Sequence, residues 1–249
     1  MNIFLKKKHI LNFKECLNQT EEEELTKAIK FYFKQKRLSI ILMIIGYLFS
    51  IIAVGIPILI YGIYLYFSAK KSITINYELS SEQLNGFDQA MEPVSKMNNC
   101  CVRWHVLNTT NIDKSRAHAG ATSSLNMVKL KKESKSDRFI KSNVNYYTMK
   151  LTNGLLIFLP NIVIYVKKGK FNLIKYEKIK FEPSFIKFRE YGTIPKDAEI
   201  LDYTWKYVNN NGTPDKRYKD NVKVPICKYC EIDIVLNTNV ETIMVSNFS

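Results

Sequence analysis

The cysteine residues are the first candidates for chemistry in this sequence. Cys227 and Cys230 form a Cys-x-x-Cys spacing, which occurs in zinc sites and in redox pairs. Zinc normally takes four ligands, and the other close pair, Cys100 and Cys101, is adjacent and poorly arranged to chelate one ion. If Cys227 and Cys230 lie on a β-strand, their side chains point to opposite faces. The spacing therefore favours plain packing, and we predict no metal and no cofactor.

A catalytic site would have few residues to draw on. The sequence has three histidines, and none stands at the spacing of a catalytic motif. It also lacks the P-loop, GxSxG, GxGxxG and HExxH patterns. We therefore predict no catalytic residue. The alternative, an enzyme with an unrecognised site, would have to use Asp215, Arg217, His105 or His118.

One polar segment has the composition of a functional loop. Residues 204–225 read TWKYVNNNGTPDKRYKDNVKVP. The Asn-Gly-Thr-Pro-Asp part consists of residues that turns select. The candidate functional residues of this loop are Trp205, Asn209, Gly212, Asp215 and Arg217.

A long apolar run dominates the elements that would position these residues. Residues 38–69 read LSIILMIIGYLFSIIAVGIPILIYGIYLYFSA, without Asp, Glu, Lys, Arg or His. Because a helix on the surface of a globular domain keeps a polar face, this run predicts a membrane-embedded segment. A straight helix of this length would reach about 48 Å, whereas a hydrocarbon core is about 30 Å thick.

The charges around the run favour a transmembrane hairpin of two short spans. Five basic residues flank it and are predicted to lie at the membrane interface: Lys34, Lys36, Arg37, Lys70 and Lys71. A hairpin that bends at residues 55–57 places both basic clusters on the cytoplasmic side. Gly46 and Gly62 would let the two helix backbones approach closely. A single span and a hairpin buried in protein are the alternatives.

The segment before the run is expected to be helical and basic. Residues 2–17 resemble an amphipathic helix that lies either on a lipid surface or on the rest of the protein. A second helix should begin at Thr20, a hydroxyl cap followed by four glutamates that the helix dipole favours.

The segment after the run is expected to be rich in β-strands. Short stretches of alternating apolar residues predict many strands, beginning with residues 72–79. Ser80 or Ser81 should cap a helix, and residues 108–141 should form a long polar excursion. The predicted fold is therefore α+β: a transmembrane helical hairpin plus a mainly antiparallel β barrel or sandwich with one or two helices. The expected segments are 1–37, 38–69 and 70–249.

Two stretches carry a resemblance to known families. LLIFLPNIVIYV at 155–166, a glycine turn and LIKYEKI at 173–179 resemble the strand core of bacterial pleckstrin-homology-like or GRAM-type domains. Residues 204–225 resemble part of an uncharacterised group of bacterial membrane-associated proteins, in which a β-rich region follows hydrophobic helices. This second similarity runs from about residue 77 to the end. The resemblance implies the architecture and no activity.

Composition and net charge limit the classes of protein to which this chain can belong. An apolar fraction of 46% with nine Gly and seven Pro excludes collagen-like and wholly disordered classes. The net charge is +14, from 37 basic and 23 acidic residues. Such a positive field attracts anionic lipid headgroups or nucleic acid.

The sequence therefore predicts a non-enzymatic protein held in the inner cell membrane by two spans. Its amino terminus and its basic, β-rich domain would lie in the cytoplasm. The predicted partners are the lipid bilayer and either a partner protein or a second copy of the chain. The β-rich domain would bind that protein or the anionic lipid surface. A membrane-tethered nucleic-acid-binding module is a further alternative that we do not favour.

Overall fold

Strands make up most of the elements in the structure. The computed structural model describes residues 9–13, 18–50, 54–69, 73–111, 123–131, 139–209 and 211–248. The α-helices in these residues are α1 Gln19–Leu48, α2 Gly55–Ala69, α3 Ser81–Ala90 and α4 Glu92–Asn99. The strands are β1 His9–Phe13, β2 Ile73–Tyr77, β3 Arg103–Asn111, β4 Ser123–Lys129, β5 Ile140–Ser142, β6 Tyr147–Leu151, β7 Gly154–Leu159, β8 Ile162–Lys167, β9 Lys170–Ile174, β10 Ile179–Arg189, β11 Glu199–Trp205, β12 Lys223–Leu236 and β13 Asn239–Val245. The β-rich character that the alternation predicts is confirmed.

The chain forms two compact units, each built from separate parts of the sequence. The first unit consists of Met1–Met91, Glu133–Thr148 and Leu155–Leu173. The second unit consists of Glu92–Lys132, Met149–Gly154 and Ile174–Ser249. Each unit has its own buried apolar cluster.

The first unit packs one face of α1 against β-strands. Leu25, Ala28, Ile29 and Tyr32 are buried and follow the spacing of a single helix face. They share a core cluster with buried residues of β2, β7 and β8. The strands of this unit include the three-stranded sheet β1-β2-β5, in which both pairings are parallel. The first half of α1 is therefore a core helix.

The amino-terminal segment differs from its prediction. The expected helix over residues 2–17 is wrong where the chain is described, because His9–Phe13 is strand β1, paired with β2. Leu11 and Phe13 are buried, and the rest of that segment lies outside the described residues. Helix α1 begins at Gln19 and its cap is Asn18, whose Oδ1 accepts from the Glu21 N–H at 2.9 Å. The Glu21 carboxylate accepts from the Asn18 N–H in return, so the two residues form a capping box, and the predicted hydroxyl cap at Thr20 is wrong.

The predicted transmembrane hairpin over residues 38–69 is wrong. In the part of the chain that the structure describes, no helix combines the length and the apolarity that crossing a membrane requires. The apolar run is divided between two helices: residues 38–48 end α1, and α2 has 15 residues. These pieces measure about 16 Å and about 22 Å, which is less than a hydrocarbon core of about 30 Å. The same finding corrects the predicted multi-pass location in the inner membrane.

The second unit is organised around an antiparallel sheet. Its strand order is β10-β12-β13-β3-β4, and β11 also pairs with β12. The 14-residue strand β12 thus contacts β10 along one edge and both β13 and β11 along the other. Strand β4 corrects the predicted polar excursion over residues 108–141, because Ser123–Lys129 pairs with β3. Residues 112–122 and 132–138 of that excursion lie outside the described residues.

Tyr229 of β12 is the largest fully buried side chain in the second unit. Its ring lies near Trp104 and Phe188, with centroid distances of 5.2 and 5.5 Å. Its hydroxyl donates to the Glu190 carboxylate at 2.8 Å. Burial, together with that carboxylate, raises the pKa of the Tyr229 phenol well above its usual value.

This raised pKa predicts a loss of stability in alkali. The neutral phenol contributes stability fully below the unfolded pKa of about 10, and that contribution is lost as the pH rises toward the higher folded pKa. Between about pH 9 and about pH 11, we expect the free energy of unfolding of Tyr229→Phe to fall by about 1 kcal/mol less than that of the native chain. Urea unfolding at both pH values measures this difference. Tyr191→Phe, at a tyrosine that is 60% exposed, is the control and should fall like the native chain. Equal falls for both variants would contradict the prediction.

Candidate functional site

The two glycines of the apolar run lie where α1 and α2 touch. A Cβ atom placed on Gly46 would lie 2.4 Å from the backbone nitrogen of Leu59. A Cβ atom placed on Gly62 would lie 2.9 Å from the backbone nitrogen of Met43. Real Cβ atoms do not approach a backbone this closely, so α1 and α2 pack backbone to backbone at these points.

Away from this contact, the two helices and two residues between them expose many large apolar side chains, which we call the apolar tip. The apolar tip consists of Leu38, Ile40, Ile41, Ile44, Ile45, Tyr47, Leu48, Phe49, Val54, Ile56, Ile60, Tyr61, Ile63, Tyr64 and Phe67. Ile44, Ile45, Tyr47 and Leu48 together span more than one helical turn and are between 38% and 72% exposed. The apolar surface therefore faces several directions, with Gly46 marking the side that is covered by α2.

Basic residues precede the apolar tip on α1. Lys34 and Arg37 are exposed, one helical turn apart. Lys36 is half-buried, with its Nζ 5.9 Å from the centre of the Tyr32 ring. Lys70 and Lys71 lie outside the described residues, so of the two predicted basic clusters only the one before the apolar run has a described position.

The candidate loop belongs to the second unit and is closed by its own polar side chains. The bridge between Val208 and Pro214 brings its two arms together. The Asn209 N–H donates to the Thr213 carbonyl at 2.8 Å, and the Asn209 side chain donates to Thr213 Oγ1 at 3.0 Å. Gly212 has φ of +80°, a left-handed conformation that favours glycine at the turn. The residues that the sequence singled out here therefore form a defined turn.

Asp215 and Arg217 form an ion pair within the loop. Asp215 is 2% exposed, and its Oδ1 accepts from Arg217 Nε at 2.9 Å. Its Oδ2 accepts from Arg217 Nη2. The Asn221 side chain donates to the backbone carbonyls of Tyr207 and Asp215 at 2.8 and 3.2 Å. The contacts of the Asp215 carboxylate with Arg217 therefore stabilise the conformation of the loop.

The same loop and its ends carry aromatic and basic side chains, of which the sequence singled out only Trp205 and Arg217. Tyr207 and Tyr218 stack with a centroid distance of 3.9 Å and an interplanar angle of 13°. Lys206 Nζ lies 5.3 Å from the Tyr207 ring centre. Trp205, half-buried at the end of β11, has Lys223 Nζ 5.6 Å from its ring centre. The sequence did carry a signal, because aromatic residues alternate at positions 203, 205 and 207, each followed by a polar or aliphatic residue.

His105 has partners that no sequence spacing predicts. Its Nε2 lies 2.8 Å from Glu241 Oε2, and its Nδ1 lies 2.9 Å from Thr152 Oγ1. The Thr152 N–H also donates to Nδ1, so Nδ1 is the acceptor and Nε2–H donates to Glu241. A carboxylate, an imidazole and a hydroxyl that contact one another in this order also make up a catalytic triad. However, His105 and Glu241 are only 5% and 3% exposed, so the cluster satisfies buried polar atoms of the sheet.

The remaining candidates for chemistry do not come together. Cys227 and Cys230 are both buried, and their positions on β12 place them on opposite faces of the strand. Burial raises the pKa of both thiols, which keeps them protonated near neutral pH. Among the described residues, no group of three His, Cys, Asp or Glu side chains is placed to hold a metal ion. His118 lies outside the described residues.

Comparison of the chain with protein-family models, with curated proteins and with solved structures finds no match. The resemblance to pleckstrin-homology-like or GRAM-type domains and to bacterial membrane-associated proteins therefore stays a prediction.

Proposed function

We propose that this protein is a non-enzymatic binding protein whose apolar tip associates with an anionic lipid surface. The observation that carries the proposal is the exposure of large apolar side chains in several directions around α1 and α2. Isolated apolar residues on a surface are ordinary, but a contiguous set of this size marks an interaction site. In this proposal, the apolar tip inserts into one lipid leaflet and does not cross the bilayer.

The distribution of the exposed side chains favours lipid over a protein partner. A protein partner covers one face of a helix pair, whereas acyl chains cover every face that enters them. On α1, Tyr47 is 72% exposed and the neighbouring Leu48 is 64% exposed, although side chains at successive positions point about 100° apart. On α2, Ile60 and Tyr64 are 61% and 54% exposed. One flat partner surface would leave part of this set in water.

Length and charge fit a single leaflet. The apolar end of α1, residues 38–48, is about 16 Å long, and half of a hydrocarbon core is about 15 Å. Lys34 and Arg37 would then lie at the depth of the headgroups, where each basic side chain contributes about 1 kcal/mol with anionic lipids. One orientation of α1 would therefore both bury its apolar end in lipid and place its basic residues at the headgroups.

Vesicle flotation of the full chain tests the proposal. Vesicles of phosphatidylcholine with about 30% phosphatidylglycerol should carry the protein to the top of a density gradient. Vesicles of phosphatidylcholine alone should carry a smaller fraction, because the headgroup attraction is absent. If the protein stays at the bottom with both, the proposal fails. A discrete dimer by analytical ultracentrifugation that no longer binds vesicles would also overturn it in favour of a second copy as the occupant.

A further inference from the structure

The loop between β11 and β12 combines aromatic rings with basic side chains. Residues 205–223 contain five basic and two acidic side chains, which gives this segment a net charge of +3 (five minus two). The basic residues are Lys206, Lys216, Arg217, Lys219 and Lys223. We call this set, together with Trp205, Tyr207 and Tyr218, the aromatic-basic surface.

Tyr218 offers one ring face for stacking. Its other face is covered by Tyr207, which lies parallel to it at 3.9 Å between ring centres. Tyr218 is nevertheless 43% exposed, so its accessible area lies on the outer face and the edge. A flat ring that enters from outside could extend this two-ring stack.

The loop holds Arg217 and the Tyr218 backbone in defined positions. The buried Asp215 carboxylate binds Nε and Nη2 of Arg217, which leaves Nη1 outside the ion pair. The Tyr218 N–H donates to the Asp215 carbonyl at 3.3 Å, which ties the stacking ring to the same turn. Lys216 and Lys219 are exposed on either side of these residues. A guanidinium and a ring that are held in this way lose little conformational entropy when they bind a ligand.

We propose that the aromatic-basic surface binds single-stranded nucleic acid. A base would stack on the outer face of Tyr218, and neighbouring phosphates would contact Lys216, Lys219 and the free edge of Arg217. Base stacking on aromatic rings tolerates any sequence, and basic side chains follow the phosphate backbone. Anionic lipid headgroups would satisfy the charges but have no ring to stack on Tyr218. The surface therefore fits an unpaired strand better than a lipid headgroup.

Fluorescence anisotropy with a labelled oligothymidylate of about 20 nucleotides tests this proposal on the full chain in a mild non-ionic detergent. We expect binding at about 50 mM salt that weakens steeply toward about 200 mM. Tyr218→Ala should weaken binding about tenfold at constant salt, because it removes the ring on which a base would stack. Lys216→Ala and Lys219→Ala should each make the dependence of log K on log salt shallower by about 0.7.

Matched controls separate stacking from charge and from lipid association. Tyr191→Ala removes a tyrosine of the same unit that is 60% exposed but lies outside the aromatic-basic surface, and it should bind like the native chain. Ile44→Glu, in the apolar tip, should also leave oligonucleotide binding unchanged, so the two proposals can fail separately. Absence of binding at low salt would overturn the proposal. So would equal affinities for Tyr218→Ala and the native chain, or displacement of the oligonucleotide by a water-soluble anionic lipid headgroup that acts through Lys216 and Lys219.

Discussion

We expect the double variant Ile44→Glu, Ile60→Glu to bind anionic vesicles about a hundredfold more weakly than the native chain. These side chains are 55% and 61% exposed, one on each helix, so neither change removes core packing. Each change forfeits at least about 1.5 kcal/mol of apolar transfer into lipid, and about 1.4 kcal/mol corresponds to a factor of ten. A carboxylate among acyl chains adds a further cost. Vesicle co-sedimentation over a range of lipid concentrations gives the affinities.

The control for that experiment lies in the second unit. Ile200 and Leu201 of β11 are 40% and 42% exposed, and the same two glutamates there add the same charge to the chain. We expect Ile200→Glu, Leu201→Glu to retain nearly native vesicle binding. A comparable loss in both double variants would mean that net charge governs the association, which would contradict a role for the apolar tip.

The second large effect concerns the contact between α1 and α2. Gly46→Ala should destabilise the pair by about 1–3 kcal/mol, because the added methyl group would lie 2.4 Å from the Leu59 backbone and the helices must separate. Gly86→Ala is the matched control, since Gly86 lies within α3 and a Cβ atom there meets nothing within 4 Å. That change should stabilise its helix by up to about 1 kcal/mol, the difference in propensity between alanine and glycine.

Hydrogen exchange followed by mass spectrometry distinguishes the two glycine variants. Faster exchange of amides in α1 and α2 is expected for Gly46→Ala, whereas α3 should exchange more slowly in Gly86→Ala. Unchanged exchange in both helices of Gly46→Ala would show that the close approach at Leu59 does not hold the pair together.

The sequence predicted correctly those elements that have a short local signal. Ser80 is confirmed as a helix cap, because its hydroxyl accepts from the Gln83 N–H at 3.2 Å. Strand β2 is likewise confirmed by an alternation that the structure shows as buried and half-buried residues in turn. In both cases, the sequence signal itself spans only a few positions, although β2 pairs with the distant strands β1 and β5.

Elements decided by distant partners escaped the sequence analysis. Strand β1 pairs His9 with Ile73, a partner more than sixty positions away that no local period reveals. The His105 contacts depend on Thr152 and Glu241, which lie 47 and 136 positions along the chain. The apolar run led to the wrong prediction of a transmembrane hairpin for a related reason. Its first part is the end of α1, and the charged first half of that helix packs in a core, which the run alone does not reveal.

The stack of Tyr207 on Tyr218 in the candidate loop is another contact that the sequence could not predict. The two tyrosines are eleven positions apart, and a turn closed by Asn209, Gly212 and Asp215 brings them together. The sequence showed the turn residues, because glycine and asparagine mark turns. It did not show which rings the turn would pair, because that depends on the register between the two arms of the loop.

The depth of the apolar tip in lipid is the most direct test of the proposed function. A fluorescent label on Ile60→Cys, with Cys16 and Cys101 changed to serine, can be quenched only by groups that reach it. Lipids that carry a quencher on their acyl chains should strongly quench this label in vesicle-bound protein and leave a label on Ile200→Cys bright. A label at residue 60 that stays as bright as the one at residue 200, while the protein is bound to vesicles, would contradict the account.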